Sequence, residues 1–297
     1  MKERGRYTFI AFCILPGLIL FSVFFMYPIV RSFTIAFYRW SGQTKSTEVF
    51  VGLANFKTMA NDPVFWITVK NSFELLLIIP VCTIALALLF AVLLTRFRLR
   101  EKLFYRTSLF FPNVLSVAVI GILWQYIYHP TMGMLNSFLT AIGLENLTHV
   151  WLGEGGIDLL AVAATMLWAG TGFYLILFIA AIESIPEQYY EAAALDGAGQ
   201  VAQLFRITLP MIWEVIRVAI VLLLSGVFFG SFAFLKVMSP NGGDNYSTET
   251  MITYFYRQAF TNYNMGYATA IGLVVFLIGL AMALIANKLT RKETVEF

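Results

Sequence analysis

The chain has 297 residues, of which 59% are hydrophobic and only 12% charged. Soluble domains carry about 25% charged residues, so this composition excludes a water-soluble globular protein. The net charge of +3 is small and gathers in particular loops, so no nucleic-acid partner is needed to explain it. Six apolar runs, about residues 8–30, 74–95, 109–128, 159–182, 211–235 and 267–287, follow one another along the chain. Each reaches the length of about 20 residues that crosses the hydrocarbon of a bilayer. The intervening segments are too short for a second domain, except 31–72. Residues 1–297 therefore read as one all-α membrane domain with six transmembrane helices.

The first run follows Lys2, Arg4 and Arg6. A signal peptide is the competing reading, but the apolar core is too long. Tyr27-Pro28 also stands where a small-residue cleavage site would be required. Tyr27, Tyr38 and Trp40 suit an interfacial belt. In 31–72, Asp62 before Pro63 is a helix start, and a short amphipathic helix lying on the membrane surface is expected there. Cys13 and Cys82 fall in apolar runs and read as small packing residues, not a disulfide or metal pair. The third run opens with Pro112-Asn113. His129 and His149 have no acidic or cysteine companions at metal spacing and read as surface residues.

The fourth run carries Trp168, Gly170, Thr171, Gly172, Phe173 and Tyr174, and the fifth Ser225, Gly226, Phe228, Phe229, Gly230, Ser231 and Phe232. Small residues beside aromatics have two readings. They are packing notches between helices, or they wall a cavity where rings stack on a solute and hydroxyls bind it. Composition by itself favours the notches. Glu214 and Arg217, in the first turns of the fifth run, read either as a gate or ion pair or as snorkelling side chains that contact headgroups or a partner, and the second reading is preferred. Asn241-Gly242-Gly243-Asp244 is a turn. The cores of the second, third, fourth and sixth runs hold no Asp, Glu, Lys or Arg. No nucleophile–base pair, phosphate loop or metal cluster is visible, so the chain is not read as an enzyme.

Six spans put both termini on one side. That side carries 1–6, 96–108, 183–210 and 288–297, which hold 12 of the 20 basic residues in far less chain than the opposite side uses for 7. The cluster Arg96, Arg98, Arg100, Lys102 and Arg106 decides the orientation. Both termini and the 183–210 loop are expected in the cytoplasm.

Within 183–210, Ser184 and Glu187 have capping-box spacing, and Pro186 is tolerated in a first helical turn. The alanines that follow favour helix and leave one face nearly bare. Asp196-Gly197 supplies its end. A second apolar segment, Val201 to Ile207, leads to Pro210. The whole is a short helix, 185–197, projecting into water and suited to a groove on another protein.

This loop reads Glu-Ala-Ala, three residues, Gly, nine residues, Ile, one residue, Leu-Pro. It closely resembles the loop of binding-protein-dependent ABC importer permeases of the carbohydrate (maltose and oligosaccharide) type. The resemblance implies that Glu191, Ala192, Ala193, Gly197, Ile207, Leu209 and Pro210 form a coupling helix and its flank. This element would seat in a separate ATP-hydrolysing subunit, which binds the ATP and Mg²⁺, with no cofactor on this chain.

It further implies a sugar lying between the helices before and after the loop. Counting back from Glu191 puts Gly170 and Phe173 at matching positions, and Phe228, Phe229, Ser231 and Phe232 are the candidates beyond it. The implied partners are a second homologous permease subunit (a heterodimer, with a homodimer as the alternative), two ATPase subunits and an external solute-binding protein. The implied location is the bacterial cytoplasmic membrane. Val51-Gly52-Leu53-Ala54-Asn55-Phe56, Gly133 and Asn136, and Ser247-Thr248 extend the resemblance over essentially the whole chain. Two other classes compete with this reading. An ion-driven secondary transporter keeps ionisable groups or broken helices at mid-membrane, and a polytopic membrane enzyme clusters His, Asp or Glu at the interface.

Overall fold

The computed structural model describes residues 3–43, 46–97 and 101–290. Arg98, Arg100, Arg291 and Lys292, which helped set the expected orientation, lie outside the described residues. Helix α1 (Glu3–Phe21) runs on through a wider turn, Ser22–Met26, and Tyr27–Ile35. Strands β1 (Tyr38–Arg39) and β2 (Val49–Phe50) precede α2 (Ala54–Ala60) and the long α3 (Pro63–Arg96). Next come α4 (Lys102–Phe110), α5 (Val117–Ile127), α6 (Met134–Ala141) and α7 (Asp158–Glu183). After α8 (Glu187–Leu195), α9 (Gln200–Gln203) continues through Leu204–Thr208 and Leu209–Met211. Helices α10 (Trp213–Met238), α11 (Met251–Tyr256) and α12 (Met265–Thr290) complete the chain. Among the described residues, five helices are long and apolar enough to span a bilayer, and a sixth span forms if the bent pair α4–α5 counts as one.

Two of the six spans differ from the sequence expectation. The second starts at Pro63, because the Asp62 carboxylate accepts the Val64 N–H at 2.9 Å and caps it. No separate amphipathic helix forms at this start. The helix continues for 34 residues, about 50 Å at 1.5 Å per residue, and so outreaches the hydrocarbon. The third span is not one helix. Its halves meet at 104°. Pro112 lacks an amide donor, Leu115 and Ser116 are extended (ψ 145° and 148°), and the Ser116 hydroxyl accepts the Val119 N–H to cap α5.

The chain divides into two compact units, Met1–Phe65 with Tyr254–Leu277, and Trp66–Thr253 with Ile278–Phe297. In the first unit, every described side chain from Phe9 to Val30 is exposed, as a lipid- or partner-facing helix requires. The two strands pair antiparallel, Tyr38 with Phe50 and Arg39 with Val49. Here the Val-Gly-Leu-x-Asn-aromatic segment has a physical explanation. Gly52 turns the chain at φ +56°, the Asn55 amide donates to the Ala36 and Tyr38 carbonyls at 2.8 and 3.0 Å, and Phe56 stacks on Phe37. The other oxygen of Asp62 accepts both the Tyr254 and Tyr267 hydroxyls at 2.6 Å.

In the second unit, α3, α7 and α10 meet around Phe178, Leu175, Ala87, Ala91, Ile212 and Ala219, all buried. The alanines let the helix backbones approach. Asn71 on α3 donates to the carbonyls of Tyr246, Ser247 and Glu249 at 2.9–3.1 Å, and the Ser247 hydroxyl donates to the Asp158 carboxylate. The Asn241–Asp244 turn is present, with Gly243 at φ +74°. A Cβ there would stand 2.2 Å from the Ser247 hydroxyl and 2.6 Å from the Asp158 carboxylate, so no other residue fits. Glu214 and Arg217 do not snorkel independently. They pair at 3.1 Å one turn apart. His149 pairs with Glu154 at 3.0 Å, and no group of three or more His, Cys, Asp or Glu gathers as a metal site among the described residues.

Candidate functional site

The 183–210 loop forms a helical hairpin, α8 and α9. The capping box does not form: the Ser184 hydroxyl bonds back to the Ala181 carbonyl at 2.7 Å, closing α7 instead. Pro186 occupies the N-cap position with no side-chain cap, and Glu187 places its charge on the first turn, where the helix dipole favours it. The far end is as expected. Gly197 has φ +80°, and the N–H groups of Ala198 and Gly197 reach the Ala193 and Ala194 carbonyls at 2.8 and 3.0 Å. This is a Schellman closure, which needs a left-handed residue.

The hairpin has two faces. Tyr190 is buried and Ala193, one turn on, is half-buried. Gln188, Ala192 and Leu195 share the opposite face, where Leu195 is 89% exposed; Glu191 is exposed as well. Ile207 and Leu209 are half-buried against the core of the second unit, and Pro210 is exposed. The outer face of this hairpin is thus small and apolar apart from Gln188 and Glu191.

A polar clamp fixes this hairpin to the end of the second span. The Arg96 guanidinium lies 3.6 Å over the Tyr190 ring and donates to the Gln203 side-chain oxygen at 3.0 Å. The Gln203 amide donates to the Ala198 carbonyl at 3.1 Å, and the Tyr190 and Thr208 hydroxyls pair at 3.0 Å. Four side chains thus tie α3, α8 and α9 together. Sequence reasoning counted Arg96 only as topological charge and missed the other three. At the other end of the hairpin, Glu183 accepts from Arg106 and from Lys102, the latter at 3.3 Å, so α4 is pinned to α7.

Elsewhere in this unit, α3, the α4–α5 break, α7 and α10 line an open cavity of about 250 Å³. Its walls follow strict four-residue rows: Met166, Gly170 and Tyr174 on α7, and Gly226, Gly230 and Phe234 on α10. A Cβ built at Gly170, Gly226 or Gly230 meets nothing within 4 Å, so these glycines open space. Gly172 is the opposite case. Its Cβ would stand 2.3 Å from the Leu109 carbonyl oxygen, and it is the notch that lets α4 press on α7. The two readings of the small residues are therefore both realised, at different glycines. The Asn113 side chain donates to the Ala169 carbonyl at 2.7 Å and holds the broken span at the cavity wall.

None of the described residues lining this cavity is charged. Thr83 lines it, is 1% exposed, and its hydroxyl has no hydrogen-bond partner among the described residues. Such a group costs free energy unless something else meets it.

Of the pathway residues expected from the sequence, Gly170 lines this cavity. Phe228 and Ser231 line a smaller void with Ser72 and Thr250. Phe173 (46% exposed) and Phe229 (66% exposed) face outward, and Phe232 is half-buried outside both spaces. Tyr174 and Phe234 are the rings that line the main cavity, and the four-residue rows through Gly170 and Gly230 would have found them.

Residues 6–295 match the family described as binding-protein-dependent transport system inner membrane component. The chain is 37% identical to the probable ABC transporter permease protein YurN of Bacillus subtilis, covering 93% of each chain. It is 36% identical to the diacetylchitobiose uptake system permease protein NgcF of Streptomyces coelicolor, covering 95% of this chain and 82% of that one. In fold it is similar to a chain of a bacterial alginate ABC transporter solved in complex with an alginate pentasaccharide-bound periplasmic protein. The TM-score is 0.81 at 26% identity, covering 98% of this chain and 96% of that one. A multi-pass helical membrane protein with a glycine-walled cavity and a Glu-Ala-Ala hairpin matches these relatives along nearly its full length, and the chain belongs to the binding-protein-dependent inner membrane components: it is a permease subunit of an ABC importer.

Proposed function

We propose that this permease passes a neutral sugar or oligosaccharide through the cavity between α3, α7 and α10, and that the α8–α9 hairpin couples it to an ATPase. The observation that carries the substrate class is the lining itself: its described residues hold no charge, and Tyr174 and Phe234 stand beside glycines that leave room for a solute. A neutral, hydroxyl-rich solute enters such a space without requiring a counter-charge. The rings of Tyr174 and Phe234 offer apolar faces to a pyranose. At about 250 Å³ the cavity falls below the roughly 300–1,000 Å³ of typical ligand pockets, which suits one sugar ring at a time. The diacetylchitobiose assignment of NgcF supports the same class.

In this reading the chain pairs with a second, homologous permease subunit, two ATPase subunits that bind ATP and Mg²⁺, and an external solute-binding protein. Both termini and the hairpin lie on the cytoplasmic side of a bacterial plasma membrane. This chain itself catalyses no chemistry. Its exposed hairpin face (Ala192, Leu195) and Glu191 meet the ATPase, while Gly197 shapes the helix end. The test is uptake by the reconstituted complex with its binding protein and ATP. Neutral oligosaccharides are expected to accumulate and uronic-acid oligosaccharides of equal length are not. The reverse preference would overturn the substrate class.

A further inference from the structure

A second, larger groove lies outside both the cavity and the exposed hairpin face. It has a volume of about 570 Å³ and runs between the last turns of α3 and the α9 segment, walled by Leu89, Leu93, Leu204 and Phe205 among others. Leu89 and Phe205 are more than half exposed, so the groove is open. Its α3 wall belongs to a membrane span, so it is continuous with the hydrocarbon. One cation, Arg96, lines it. Arg96 has no carboxylate partner among the described residues, and unlike the exposed Arg206 it is half-buried. Its contacts are a ring face and a neutral amide. A half-buried guanidinium without a counter-ion, at the end of an apolar groove, lacks an anion.

We propose that this groove holds one anionic phospholipid, its acyl chain along Leu89, Leu93, Leu204 and Phe205 and its phosphate at Arg96. Basic pockets beside spans on the cytoplasmic side take such headgroups. The ligand is a lipid and not free phosphate, because the site offers one cation and a long apolar wall. Placing it in the cytoplasmic leaflet rests on the orientation proposed above. The site has a reach beyond anchoring. The phosphate would share Arg96 with Tyr190 and Gln203, so the lipid would stiffen the clamp that holds the hairpin.

The test uses the full transporter complex in nanodiscs containing phosphatidylglycerol and phosphatidylcholine, followed by native mass spectrometry after mild detergent washing. The wild type is expected to retain phosphatidylglycerol about fivefold over phosphatidylcholine, the effect of roughly one basic residue at a membrane surface. Arg96→Gln should abolish the preference. Leu89→Trp, which fills the groove at an exposed position and leaves the clamp untouched, should reduce retention of both lipids, and uptake should lose its dependence on phosphatidylglycerol. Equal retention of the two lipids in the wild type, or unchanged retention in Leu89→Trp, overturns the proposal. So does a photo-crosslinker at position 205 that captures a protein chain instead of lipid. A cysteine at 192 that labels from outside while phosphatidylglycerol is still retained would overturn the orientation and leave the lipid site standing.

Discussion

The hairpin and the cavity belong to the same unit yet are built on opposite terms. The hairpin is an exposed surface held rigid from behind, with its outer residues small and its inner residues locked in a polar clamp. The cavity is an open space made by leaving things out: three glycines whose missing side chains would meet nothing, a broken span and, at its edge, a hydroxyl with no partner among the described residues. A docking surface has to present a fixed shape to another chain, so its local sequence is constrained at every turn. A passage has to remain empty, and emptiness is specified by residues scattered over four segments of the chain.

If that contrast is right, changes in one region should leave the other intact. The largest effect is expected from the hairpin. Gly197→Val forces a β-branched residue into the left-handed region, at about 1–2 kcal/mol or more, and opens the Schellman closure. Ala193→Trp overpacks the inner face beside Tyr190, at about 1–3 kcal/mol. Both proteins should insert in the membrane but lose ATPase subunits on purification, with uptake down about tenfold or more. Co-purification with normal uptake in both would remove the hairpin from coupling.

The cavity should break in the other sense. Gly230→Leu has open space to occupy, so assembly with the ATPase should survive while uptake falls severalfold, read by co-purification beside transport. Loss of the ATPase from this variant would show that the two regions are not separable. A finer cut is Thr83→Val. Removing an unpartnered buried hydroxyl should leave the melting temperature unchanged or raise it. If side-chain motion lets the proposed solute reach this hydroxyl, the change removes one hydrogen bond, worth about 0.5–1.5 kcal/mol, and KM for uptake should rise about two- to tenfold. A more stable protein with unchanged KM would make Thr83 a mere packing defect.

The smallest effect lies outside both regions, at Asp62. Burial pushes its carboxyl up from the ordinary 3.8, but the Tyr254 and Tyr267 hydroxyls and the Phe65 and Val64 amides together hold it below that value. A depressed carboxyl contributes stability that is present above its ordinary value and lost as pH falls through its folded value. Melting temperature should therefore fall below about pH 4, and Asp62→Asn should flatten that fall while leaving uptake near pH 7 unchanged. A loss of stability centred near pH 6 would point to another group.

How much of this was legible in the sequence follows from the same contrast. The hairpin pattern is contiguous, so its helix and its glycine closure could be read from residues a few positions apart. The clamp could not. Arg96 finds Gln203 across 107 positions, and nothing local distinguishes Gln203 from any polar residue on a short helix. Span number was legible from apolar length, but the break in the third span was not, since Pro112-Asn113 at the head of an apolar run is equally compatible with an ordinary first turn. In the cavity, Gly170 was identified by family register, but its row-mate Tyr174 was passed over for Phe173 one position away. The four-residue repeat of Gly226, Gly230 and Phe234 was in plain view and would have corrected the choice in span five. Gly170 and Gly172, two residues apart, serve opposite purposes, and only the position of the Leu109 carbonyl separates them.

The broken third span carries an electrical consequence. Helix α5 begins at Val117, and Leu115 and Val117 stand in the cavity wall. The head of a helix carries roughly half a positive charge on its free amide groups, so a passage with no ionised lining still presents a positive potential. Half-helices that aim this end at a pore oppose cations and protons. In the function proposed above, a neutral solute would meet this potential with no charge to oppose it, while sodium ions and protons would be disfavoured. The kink that shapes the cavity wall would then also guard the membrane potential while solute passes.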